Sequence, residues 1–322
     1  GFPNHYLDFH YRSRHPQLIA FSNAAFYQNR LVPMPQRNDY QPFFFYDVQG
    51  IYRDGTNPEE ARRVADFLFN LEKNGDTYPS VGVATFNIFQ RDLILDLLWE
   101  KAYADTVSLA KLEALFQQGL FVKNLENIQG DERDVMILST TFGRDEQGKF
   151  RQFFGPLTQE KGYQLLNVIV TRAKTAVHVF CSVPESVFIN YREELLQKGN
   201  TGKAIFYAYL AWAKACATGD HGQQSAILET LGRNVTVKSP QNAGGQDRPL
   251  SKHLYEELKQ QYGDAVRLDH PFGGFILPVA LLKSGKPILC IETDEPDGYG
   301  TDVIYRVKLH REAMLKGYGI ST

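Results

Sequence analysis

The chain has 322 residues, 43% hydrophobic and 22% charged, the balance of a globular protein with material for two or three cores. Its formal net charge of -2 excludes a global attraction to nucleic acid, so any such binding needs a local basic surface. Cys181, Cys216 and Cys290 have neither disulfide-framework nor metal-ligand spacing, which points to a reducing cytosol. No apolar stretch is long and charge-free enough to span a bilayer, so no membrane partner is expected. No signal peptide opens the chain, and its first residues read as the start of a helix-rich piece excised from a longer protein.

In chain order, "FFFYDV" (43–48) is a short apolar strand. A helix follows over 57–75, with Asn57 as N-cap, Pro58 at its first position, Glu60 completing a capping box and Gly75 as the stop. Residues 80–86 read as a buried strand, 87–102 as an amphipathic helix, and 134–142 and 176–182 as further buried strands. Apolar strands alternating with helices imply a parallel sheet covered on both faces. After Pro184 three helical stretches (185–199, 202–219 and 222–234) are separated by glycines, and a polar linker occupies 239–249. A small α/β unit closes the chain, with a helix at 250–262, strands near 265–269, 275–282 and 288–293, and a helix from 302 to 316. The fold class is therefore α/β, with segments 1–185, 186–238 as a helical connector, and 239–322.

Residues 164–180, "QLLNVIVTRAKTAVHVF", place Arg172 and Lys174 inside an apolar run. Fixed charges there are costly unless an anion meets them. No GxxxxGK[ST] phosphate loop is present, and "GNTGKA" (199–204) has the wrong spacing and lacks the hydroxyl that would hold Mg²⁺. The chain alone is therefore not expected to hydrolyse ATP. The eight histidines form no zinc-binding pattern.

Three segments occur in register: "LDFHYRSRHPQLIAFSNAAFY" (7–27), "NLENIQGDERDVMILSTTFG" (124–143) and "GYQLLNVIVTRAK" (162–174). They resemble the second RecA-like domain of superfamily 1 DNA/RNA helicases, in the branch of the nonsense-decay helicases, over residues 1–185. In that family ATP and Mg²⁺ lie in a cleft between two RecA-like domains, with the phosphate loop on the first. The resemblance implies that Arg12 and Arg172 reach the γ-phosphate as arginine fingers, and that Glu132 contacts the nucleotide ribose. Gln129 and Gly130 would shape the loop that senses nucleotide and strand, and Thr85, Asn87 and Gln90 would donate to the strand backbone. The expected partners are the N-terminal RecA-like domain of the same protein and single-stranded or duplex DNA, RNA remaining open. The chain departs from the family at Leu165, where arginine is usual, and at Ile169, where a small residue is usual. Without the resemblance, Arg12 and Arg14 read as surface charges at a helix end, Arg172 and Lys174 as a polar turn between two strands, and Glu132 as part of a solvated loop.

Residues 248–322 resemble the Vsr-like, restriction-endonuclease-fold domain appended to many bacterial superfamily 1 helicases. Glu292 and Asp294 match that family's Glu-x-Asp and are candidate Mg²⁺ ligands. The preceding metal-binding Asp aligns with Pro278, and the helix Glu falls near Ser251, one turn before Glu256 and Glu257. The domain therefore reads as a degenerate nuclease, with Asp269 as a migrated ligand keeping an active Mg²⁺-dependent endonuclease open. A non-catalytic DNA-binding module and a plain acidic loop at "ETDEPDG" are the other readings.

Overall fold

A computed structural model describes residues 9–10, 12–33, 40–128, 130–159, 162–233, 249–272, 275–291, 315–316 and 320–322. The elements in chain order are β1 (Phe9–His10), α1 (Gln17–Phe26), β2 (Val32–Pro33), β3 (Phe43–Asp47), α2 (Pro58–Asn70), β4 (Val81–Thr85), α3 (Ile88–Ala102), α4 (Thr106–Gln117) and β5 (Phe121–Asn124). They continue with β6 (Arg133–Ser139), α5 (Gly162–Val170), β7 (Ala173–Cys181), α6 (Glu185–Phe188), α7 (Tyr191–Lys198), α8 (Gly202–Thr218) and α9 (His221–Arg233). The last described are α10 (Pro249–Tyr262), β8 (Val266–Phe272), β9 (Phe275–Lys283) and β10 (Lys286–Ile291). Two compact units result, one of residues 12–28 and 37–236, the other of 1–11, 29–36 and 237–322.

The larger unit is a RecA-like α/β layer structure. Its five strands are all parallel, in the order β3-β7-β6-β4-β5. Successive strand residues face opposite sides. Met136, Leu138, Val177 and Val179 join one core with α1, α5 and α8, while Val81, Val83, Ile137 and Phe180 join the other with α2, α3 and α4. Helix α8 has Ile205 to Ala213 continuously buried, consistent with a helix enclosed by both the sheet and its helical neighbours. The helices of 185–233 thus lie in the same compact unit as the sheet.

Helix α2 begins where the sequence places it, with Asn57 Oδ1 accepting from the Glu60 N–H at 3.1 Å. The reciprocal half of the expected capping box is absent: the Asn57 N–H donates to Gln90 Oε1 at 2.7 Å, and the Glu60 carboxylate turns into the core. The helix also ends at Asn70, before Gly75. Lys111 Nζ, reaching over from α4, donates to the carbonyls of Phe69 (2.7 Å) and Leu71 (2.8 Å) and so satisfies its last turn. Helix α4 and strand β5 have no counterpart among the elements expected from sequence. Asp105, which accepts from the N–H groups of Val107 and Ser108, and Gly119, with φ +89°, are the start and stop signals available there.

In the smaller unit β10, β9 and β8 form an antiparallel sheet, and α10 runs before it. Pro278 stands inside β9, and the chain end returns to β10, where the Cys290 N–H donates to the Ser321 carbonyl at 2.8 Å. Among the described residues no helix is long and apolar enough to cross a membrane.

Candidate nucleotide-facing site

The run at 164–180 folds as a helix followed by a strand. Residues 168–170 are all β-branched, yet they stay helical because Leu166, Ile169 and Val170 bury their side chains in the core. Thr171 Oγ1 donates back to the carbonyls of Asn167 (2.8 Å) and Val168 (3.1 Å), the Arg172 N–H reaches Ile169 O (3.0 Å), and the chain turns extended into β7. Arg172 therefore stands at the junction, at the N-terminal edge of the parallel sheet. Ile169 is buried and Leu165 packs partly buried against the same core, so the two family departures are accommodated as added apolar packing.

The segment carrying Arg12 lies alongside. The Arg14 N–H donates to Lys174 O at 2.7 Å, Ser13 Oγ to Ala173 O at 3.4 Å, and Arg12 Nη1 to Thr171 O at 3.4 Å. On the other flank, the Arg133 N–H donates to Arg172 O at 3.2 Å, which brings in the loop of Gly130, Asp131 and Glu132. Gly130 has φ +90°, a conformation that favours glycine. Arg133 anchors this loop from below: it donates to Gly119 O (2.6 Å) and Glu132 O (2.8 Å) and lies over the Phe121 ring. Lys123 Nζ meets Asp131 Oδ2 at 2.6 Å, a bond that with neighbouring Arg133 and Arg172 holds the Asp131 carboxyl below its usual range.

Arg12, Glu132, Arg172 and Gly130 are thus gathered at one edge, while Gln129 lies outside the described residues. Arg12 forms an ion pair with Glu132 through Nε. Burial and the neighbouring Arg12 cation lower the Arg172 pKa, while Glu132 and Asp131 oppose them. Arginine keeps its charge regardless. Among the described residues, Arg172 Nε is buried and has no hydrogen-bond partner. Lys174 stands near Asp134, whose carboxyl burial would raise; bonds from Ser80 and the charges of Lys174 and Arg14 bring it below its ordinary value.

Thr85, Asn87 and Gln90 lie at the opposite edge. Thr85 pairs with Ser139 at the end of β6, roughly 20 Å along the strand from Arg133 at about 3.3 Å per residue. Thr85 and Gln90 are fully buried, and their side chains serve internal bonds. Thr85 Oγ1 donates to Asn87 O (2.8 Å), and Gln90 Nε2 donates to Asn57 O (3.1 Å) and Ser139 Oγ (3.0 Å). Asn87 caps α3 and donates to Gly55 O at 2.8 Å. Beneath them lies Glu60, which in sequence reads as part of a helix cap. Fully buried, it accepts from Ser139 Oγ (2.7 Å), Thr140 Oγ1 (3.0 Å) and the Thr141 N–H (2.7 Å). Burial pushes its pKa up to about 7 against these bonds. Thr141, with φ +68°, is in a conformation that β-branched residues rarely adopt, and the bond from its N–H to Glu60 helps hold it there.

Glu292 and Asp294 lie outside the described residues. Among the described residues no group of three or more histidines, cysteines or carboxylates could hold a metal ion.

The chain is 29% identical over 329 residues to an uncharacterized ATP-dependent helicase, MG140, of Mycoplasma genitalium, and 29% identical over 320 residues to its homologue in Mycoplasma pneumoniae. Each alignment covers 96% of the chain but 27% of the relative, so the chain spans about a quarter of the length of these proteins. The AAA_12 family model, described as an AAA domain, matches residues 2–184, the stretch that holds both arginines, Glu132 and the five-stranded sheet. The chain belongs to this AAA domain family.

Proposed function

We propose that this chain is the part of an ATP-dependent nucleic-acid helicase that completes the ATP site from the side opposite the phosphate loop. The observation that carries this reading is the pair Arg12 and Arg172, brought together from distant segments, with Arg172 Nε buried and without a partner among the described residues. Two adjacent guanidinium groups repel each other, and Glu132 and Asp131 offset them only in part. A phosphate anion would supply acceptors for both. Residues that fit such an anion are present, and the Mg²⁺ that accompanies ATP would be held by the other RecA-like domain. ATP, when bound, supplies the phosphoryl group whose transfer to water drives the motor. Arg12 and Arg172 would place positive charge on the phosphate oxygens, Glu132 would release Arg12 and turn to the ribose, and Gly130 would let the Gln129–Glu132 loop follow the nucleotide.

Thr85, Asn87 and Gln90 fit this reading as an inner frame of the strand-facing edge, because two of the three are buried. For residues 239–322 we propose a degenerate Vsr-like domain that grips DNA, supported by Pro278 standing in β9 where the nuclease family has a metal-binding Asp. Plasmid cleavage in Mg²⁺ or Mn²⁺ that is lost in Glu292→Ala and Asp294→Ala would instead make it a nuclease. The test of the main reading is nucleic-acid-stimulated ATP hydrolysis by the full-length protein. Arg172→Ala is expected to abolish it while ATP binding persists; undiminished turnover in that variant refutes the assignment.

A further inference from the structure

At the carboxyl edge of the sheet, one exposed aromatic ring lines a groove and a second packs on a turn that borders it. Phe89, 61% exposed, is the second residue of α3. It packs on the turn at 53–56, where a Cβ on Gly55 would lie 2.8 Å from its ring, and Asn87 ties that turn to the helix through Gly55 O. Gly55 has φ +82°, so a side chain there is disfavoured on two counts. The ring of Phe89 is thus held from behind while its other side faces solvent. Beside the turn lies a cavity of about 460 Å³ lined by Tyr52, Arg53, Lys149, Arg151 and Phe153, the last 68% exposed.

The groove carries both signs of charge, with Asp54, Asp145 and Glu146 lining it beside Arg53, Lys149 and Arg151. Arg53 is taken by Glu146 at 3.2 Å, and Asp145 accepts the N–H groups of Gln147 (3.1 Å) and Lys149 (2.9 Å) within its own hairpin. Lys149 and Arg151, both exposed, form no ion pair among the described residues, and Arg151 is near enough to Tyr52 to oppose the rise that burial causes in its phenol pKa. Exposed aromatic faces near cations that form no ion pair suit a single strand: bases stack, phosphates meet charge. The groove lies beyond the carboxyl ends of β3 and β6, a common place for ligands in open α/β sheets.

We infer that Phe89 and Phe153 are base-stacking platforms for single-stranded nucleic acid, with Lys149 and Arg151 meeting its phosphates. This deepens the helicase reading and rests on it for the ligand class. It also supplies the strand-binding groups that buried Thr85 and Gln90 do not offer.

The test measures binding of the 322-residue chain to fluorescent oligothymidylate and oligouridylate, the two arms separating DNA from RNA. Phe89→Ala and Phe153→Ala are each expected to weaken binding about five- to hundredfold, with Phe→Trp retaining it. Both sites are exposed, so a circular dichroism melt unchanged from the parent is expected. Lys149→Glu with Arg151→Glu should flatten the salt dependence, by roughly 0.7 in log–log slope for each phosphate no longer neutralised. Parent-like affinity in both alanine variants overturns the inference and leaves the helicase reading intact. A parent chain that binds neither oligonucleotide overturns it together with the strand-binding half of that reading, while the role of Arg172 is decided separately by ATP hydrolysis.

Discussion

The Arg14 N–H donates to the Lys174 carbonyl at 2.7 Å, the shortest of three bonds that lay the segment of Arg12 beside the segment of Arg172. Neither arginine lies within the central part of a strand or helix. Arg172 is fixed by the bond from its own N–H to Ile169 O and by the bond that its carbonyl accepts from the Arg133 N–H, and Arg12 by the bonds of Ser13 and Arg14 to β7. Two cations thus share a place that neither would occupy with the other for electrostatic reasons alone.

Glu132 is the counter-charge that makes this tolerable. The pair it forms with Arg12 is about a quarter exposed on each side, which limits its worth to roughly 1 kcal/mol or less. A double-mutant cycle between Arg12→Ala and Glu132→Gln, read by urea unfolding, should return a coupling of that size. A coupling above about 3 kcal/mol would mean a structural pair rather than an exchangeable one.

Glu60 gives a pH signature. Its pKa is about 7 in the fold and 4.5 in its ordinary state, so between these values the folded chain holds more protons than the unfolded one. Its contribution to stability is therefore full below about pH 4.5 and is lost as pH rises to about 7. Glu60→Gln should remove that slope in urea midpoints taken across the window.

His178 has the opposite sign. It is buried between Phe44 and Phe67, accepts or donates a bond with Tyr46 Oη at 3.0 Å, and has its pKa lowered by burial to about 4 from 6.5. Its contribution is present above about pH 6.5 and is lost as pH falls through about 4. The two slopes oppose each other over a shared range. Stability of the parent should vary little there, His178→Phe should fall with rising pH, and Glu60→Gln should fall with decreasing pH. Parallel profiles for all three proteins would contradict the assignment.

Gly50 is fixed by space. A Cβ there would lie 2.1 Å from Asn57 Oδ1, and Asn57 is fully buried as the cap of α2. Gly50→Ala should cost about 2 kcal/mol or more through overpacking and loss of the cap. Gly75→Ala meets nothing within 4 Å and has only φ +71° against it, so a cost of about 1 kcal/mol is expected from thermal melts.

The parts of this fold that are legible in sequence are those where local chemistry and tertiary structure agree. Asn57 and Pro58 begin a helix in sequence and in space, and residues 81–84 and 135–138 are apolar because both faces of the sheet are covered. The juxtaposition of Arg12 with Arg172 is legible only through motif resemblance, since no local pattern encodes a meeting of segments so far apart. Glu60 reads as a cap because a Glu in the first turn of a helix suits one, and nothing nearby in sequence announces the hydroxyls of Ser139 and Thr140. Gln90 and Thr85 have the right residue types for donating to phosphate, but burial commits them inward. Phe89 and Phe153 are the reverse case: apolar residues whose exposure only the fold reveals.

The central claim is that Arg172 acts on a phosphate held by another part of the protein. The most direct test compares ATP hydrolysis by the 322-residue chain, the full-length protein and full-length Arg172→Ala, all with saturating single strand. The expected result is no turnover by the chain, strand-stimulated turnover by the full-length protein, and a loss of about 10³-fold or more in the variant, with lysine failing to replace arginine. Hydrolysis by the isolated chain, or a full-length Arg172→Ala protein that turns over like the parent, would contradict it.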